Sequence, residues 1–105
     1  MDDAVTRHAD LVAALRRAVF DSPGETEPRT RHAAGSGGPL PEPWGAYADK
    51  VRDHSYRVTD ADIAFLKAAG RTEEEIFEIT VAAAMGAALH RLDAGLRAVR
   101  GEGAT

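Results

Sequence analysis

None of the 105 residues is cysteine. Disulfides, thiolate metal sites and thiol-based redox chemistry are thereby excluded from this chain. Aromatic residues are scarce at 6%, with one tryptophan, so the chain has little with which to fill a thick core. Alternating Val/Ile/Thr runs bounded by turn residues are missing, and strands are not expected. There is no run of about 18 apolar residues and no charged start followed by an apolar stretch, which argues against a spanning helix or a secretory leader. These absences predict a soluble, cytoplasmic, all-α protein that makes no membrane contact. A net charge of -4 and a pI near 5.5, with arginines interspersed among acids, argue against nucleic acid as a partner.

What is present is dominated by Arg71–Gly101. Thr72 followed three residues later by Glu75 is a capping box. Glu73, Glu74 and Glu75 suit the positive end of a helix dipole, and Arg97 and Arg100 the negative end. No proline interrupts the stretch, and Gly101 is a natural stop. A helix over about 72–100 is predicted, roughly 40 Å long at 1.5 Å per residue. Met85, Leu89, Leu92, Leu96 and Val99 recur at steps of four and three and make a narrow apolar seam. Thr80–Ala88 carries no charge and reads as enclosed on all sides. Gly86 within it points to close helix contact or to a kink.

The remaining chain divides into an N-terminal helix (1–20), a connector (21–43) and a helical core (44–101). Met1–Val5 reads as a frayed start, with Thr6 as the cap of the first helix and Leu11, Leu15 and Val19 as its core stripe. All five prolines lie in Asp21–Pro43. Pro28 could open a short helix there with Gly35 as its stop, but the simplest reading of the connector is an exposed loop or a crossover arm. Trp44, Tyr47, Ala48, Val51 and Ser55 line one side of the next helix, with Trp44 pinning the connector to the core. Thr59 begins a short helix with Ile63, Phe65, Leu66 and Ala69 on its apolar side, ended by Gly70. A small helical bundle with one long central helix results. At 11.2 kDa such thin helices bury little surface, so a homo-oligomer, at least a dimer, is expected.

Val58–Val99 resembles the alkylhydroperoxidase D-like/carboxymuconolactone decarboxylase superfamily. The likeness is carried by the VTDADI helix start, the turn at Ala68–Gly70, the TEEEI cap at Thr72–Ile76 and the RLDAGL end at Arg91–Leu96, and it covers about 40% of the chain. It implies an all-helical, oligomeric fold. The cysteine pair on which peroxidase members depend has no counterpart in DHSYRVTDADIAF. The peroxidase chemistry that pair supports is therefore not expected, since serine cannot replace a thiolate nucleophile. Decarboxylase-type members do not need that pair, and an acid/base activity on a small carboxylated substrate stays open.

His8, His32, His54 and His90 show neither i, i+4 nor H-E-x-x-H spacing, so no metal or cofactor is expected. The candidate catalytic group is His54, Tyr56 and Arg57, a titratable imidazole beside a phenol and a guanidinium able to hold an anion. Against it stands the plain reading of a histidine at a helix end, favourable with the dipole. Glu78 and His90 are candidates for a pocket between helices, against readings as a solvated acid and an interface histidine. The leading expectation is a non-redox binding or assembly module, taking another protein or a small ligand. The alternatives are a decarboxylase-like enzyme using His54 and Tyr56, or an accessory subunit of an enzyme complex.

Overall fold

Thr72 opens the longest helix through the expected reciprocal pair. Its Oγ1 accepts from the Glu75 amide at 3.1 Å, while its own amide donates to Glu75 Oε1 at 2.9 Å. The computed structural model describes residues 3–101. Among them the chain is entirely helical, without strands: α1 (Asp3–Arg16) running into a π turn (Arg17–Asp21), α2 (Pro28–Ser36), α3 (Trp44–His54) with a 3₁₀ turn (Ser55–Arg57), α4 (Asp60–Ala68) and α5 (Glu73–Arg100). Gly101 ends α5 in the left-handed conformation at φ 76°, its amide donating to the Ala98 carbonyl. Met1 and Asp2, part of the start expected to fray, lie outside the described residues. Asp3–Val5 are already helical, so Thr6 is inside α1 and not its cap.

The N-terminal half of α5 is the centre of the core. Ile76, Ile79, Ala82, Ala83, Ala87 and Leu89 are buried against Trp44, Tyr47, Ala48 and Val51 of α3, Leu66 of α4 and Phe20 of the π turn. Burying a side chain the size of Ile79 stabilises by about 1.5–3 kcal/mol. Tyr47 Oη and Thr80 Oγ1 lie 2.6 Å apart, and Thr80 Oγ1 also donates to the Ile76 carbonyl, which satisfies the polar groups at the α3–α5 contact. The uncharged stretch is not enclosed on every side: Ala84 and Ala88 face out, as does Phe77 just before it.

The connector is not wholly a loop. Its middle folds as α2, between non-helical stretches at 22–27 and 37–43, and α2 makes the most extensive contact with α5. Pro28 takes the first helical turn as predicted, but the stop is Gly37 (φ 81°), two residues beyond Gly35. Gly35 is buried, and its backbone meets that of Gly86. A Cβ on Gly86 would come within 2.6 Å of the Gly35 carbonyl carbon, so the glycine marks close helix contact. Two side chains strap the chain entering α2 to this core. Arg31 is only 3% exposed and donates to the carbonyls of Val19 (2.9 Å), Ser22 and Thr26 (3.3 Å). Glu78 of α5 accepts from the amides of Glu25 and Thr26 at 2.8 Å each and from Thr26 Oγ1 at 2.6 Å.

Trp44 is buried, with the Arg71 guanidinium 5.3 Å from its ring centroid. Thr59 caps α4 through its own box, its amide donating to Asp62 Oδ2 at 2.9 Å, and Asp62 also takes Lys50 of α3 at 2.9 Å. Ser55 and Phe65 are exposed, unlike their expected places on apolar faces. So are Leu11 and Leu15, expected in the core stripe of α1, whereas Val12 and Val19 do pack against the core.

Candidate functional site

The residues singled out for chemistry separate into three places. His54, Tyr56 and Arg57 are neighbours at the end of α3, with the His54 and Tyr56 rings edge to face at 6.0 Å and the Arg57 guanidinium 5.5 Å from the Tyr56 ring centroid. They sit on the surface. Tyr56 is 77% exposed, and His54 and Arg57 are exposed as well. An acid/base pair gains strength from a site that excludes water, and nothing encloses this group.

Glu78 lies elsewhere and is occupied. Burial pushes its carboxyl up, but hydrogen bonds from the Thr26 hydroxyl and the Glu25 and Thr26 amides, helped by nearby Arg31, hold it below the ordinary 4.5. It is the acceptor that fastens the connector, and it faces neither cleft.

His90 does line a cleft. This cleft, of about 670 Å³, opens where the π turn, α2, α3 and the middle of α5 meet. Its floor is the Phe20 ring, Ala87, Leu89 and the touching backbones of Gly35 and Gly86. Its rim carries Arg16, Asp21, His32, Arg52, Asp53, His90, Arg91 and Asp93. His32 Nε2 is 2.6 Å from Asp21 Oδ1, and its ring stacks on Phe20 at 5.2 Å. Sequence reasoning weighed His32 only as a metal ligand and did not reach the cleft. Its residues come from five elements, the end of α1 included, and share no local pattern, and only the Gly86 signal marked its floor. No group of His, Asp or Glu able to hold a metal occurs among the described residues.

A further exposed surface is the C-terminal part of α5. The seam runs from the core into solvent: Leu89 is buried, whereas Leu92, Leu96 and Val99 are 46%, 44% and 84% exposed. Every residue from His90 to Arg100 is exposed. Among the described residues this end is the most exposed part of α5.

Compared with known proteins, the chain matches no family model, and no curated protein or solved structure matches it. No helix among the described residues is long and apolar enough to cross a membrane.

Proposed function

We propose that the chain is a non-redox, self-associating helical module on an alkylhydroperoxidase D-like plan, in which a second copy covers the bare end of α5. The observation that carries this reading is the seam Leu92–Leu96–Val99, continuous with buried Leu89 but itself left partly to largely exposed. An isolated helical end of some 11 residues is marginal in water, and packing of its apolar side is what stabilises such a segment.

The occupant we commit to is another copy. The spacing of four and three is that of helices that pack along one another, and two α5 ends related by a twofold axis offer each other the same apolar line. The area supports it too. The chain exposes 7041 Å², whereas a monomeric protein of 11.2 kDa is expected to expose about 5,700 Å². The excess, roughly 1,300 Å², exceeds the ~800 Å² each partner gives to a standard interface. A radius of gyration of 15.6 Å against about 12.9 Å for a compact domain of this length tells the same story.

Sedimentation equilibrium tests the reading. The expected mass is a multiple of 11.2 kDa, falling to the monomer when Leu92 and Leu96 are both changed to Glu. A single 11.2 kDa species at every concentration up to millimolar would sink it. A complex containing one copy and a different protein would instead favour the accessory-subunit alternative. The decarboxylase-like alternative rests on His54 and Tyr56, whose exposure weighs against it.

A further inference from the structure

The cleft between the π turn, α2, α3 and α5 has an uneven distribution of charge. Three carboxylates reach it, and each already faces a partner. Asp21 is 2.6 Å from His32, Asp93 is 3.2 Å from Arg97, and Asp53 is 3.8 Å from Arg52. Arg52 is itself committed, donating to the Ala34 carbonyl at 3.1 Å and to Asp49 at 2.6 Å. The basic groups divide differently. Among the described residues no hydrogen bond or ion pair engages the Arg16 or His90 side chain, and Arg91 makes one long bond, 3.4 Å, to the Arg52 carbonyl. Two guanidinium groups and an imidazole thus border a cavity whose acids are spoken for, in a chain whose net charge is -4.

Beneath them the floor is apolar. Gly35 and Gly86 have no side chains to fill it, and buried Phe20 and Leu89 complete it with Ala87. Ligand sites typically occupy about 300–1,000 Å³, with a mainly apolar lining and a few placed polar groups. This cleft has that size, with an apolar floor inside a rim that is more polar than in a typical site.

We infer that it binds a small organic anion: a carboxylate on a small apolar body, the body against the Gly35–Gly86 floor and the charge toward Arg16 and Arg91. A guanidinium holds a carboxylate through charge-assisted, often paired hydrogen bonds. The apolar body gains by leaving water. All of the lining comes from one chain, so the site does not need the assembly proposed above.

Benzoate is the probe, followed by amide chemical shifts of the full chain in an NMR titration. Saturable shifts are expected at Gly35, Gly86 and Arg91. Benzyl alcohol, the same ring without the charge, should bind at least about tenfold more weakly. Arg91→Met and Arg16→Met, both at exposed positions that the fold does not need, should each weaken benzoate about tenfold. Arg7→Met, away from the cleft, should leave it unchanged. Absence of saturation, shifts confined to other regions, or equal responses to benzoate and benzyl alcohol would each overturn the inference. The Leu92→Glu/Leu96→Glu chain keeps the cleft, so benzoate binding should persist there. Binding that survived in the wild-type chain but vanished in this variant would refute a single-chain site while leaving the assembly reading intact.

Discussion

Gly86 lies against Gly35 across the α2–α5 crossing with no room for a side chain on either. A Cβ at Gly35 would also meet the Phe20 ring at 2.7 Å and the Ala82 carbonyl at 3.0 Å. The pair sets how near α2 approaches the central helix, and with it the floor of the cleft.

Replacing Gly86 with alanine should therefore destabilise the chain by about 1–3 kcal/mol, because the obstacle is backbone and cannot rotate away. The gain in helix propensity, about 1 kcal/mol, offsets only part of this. Gly95 supplies the contrast. It sits in the same helix with nothing within 4 Å of a built Cβ, so Gly95→Ala should stabilise by about 0.5–1 kcal/mol. Urea denaturation of both variants decides the matter; equal shifts of the same sign would show that the crossing is not tight.

Glu78 gives a pH dependence with a definite sign. Its carboxyl is held below the ordinary 4.5 in the fold, so the unfolded chain binds a proton first as pH falls. The stability it contributes is present above pH 4.5 and is lost as pH drops through the lower, folded value. Glu78→Gln should lower stability at neutral pH and flatten this part of the acid limb. Thermal melts across that range read both effects, and an unchanged acid limb would mean that the strap carries no weight.

What could be read from the sequence was local. The capping box of Thr72 and Glu75, the start of α4 at Thr59, Pro28 opening α2 and the stop at Gly101 all depend on residues within one turn of each other, and each is where it was expected. Gly35 was misread as a stop because a glycine after a short helix looks the same whether it ends the helix or admits a neighbour. The burial of Arg31 left no local trace either, since its partners are carbonyls of Val19, Ser22 and Thr26. Leu11 and Leu15 were expected in the core on the strength of their spacing. Spacing shows that a face is apolar without showing what lies against it. His54, Tyr56 and Arg57 drew attention as neighbours in sequence, whereas the cleft gathers Arg16, His32, Arg52 and His90 from four elements.

If a second copy covers α5, folding and association are linked. The melting temperature should then rise with protein concentration, by an amount set by mass action. For the Leu92→Glu/Leu96→Glu chain the melt should be independent of concentration. Calorimetry over a hundredfold range separates the two, and a wild-type melting temperature that does not move would count against the dimer even if a larger species were seen by scattering.

Arg31 tests the other strap. Its guanidinium reaches the Val19, Ser22 and Thr26 carbonyls together, and removing it leaves those acceptors partly shielded from water. Hydrogen bonds to a charged group contribute about 1.5–3 kcal/mol, and an orphaned buried acceptor costs about as much again. Arg31→Lys keeps the charge but offers one nitrogen where the carbonyls diverge, so it should still lose about 2 kcal/mol in urea denaturation. Arg29→Lys, an exposed ion pair with Glu27, should change stability by less than about 0.5 kcal/mol. If the two lysine variants proved alike, the carbonyls freed at Arg31 would have to be met by water. The connector would then be held by Glu78 and by the packing of α2 on α5.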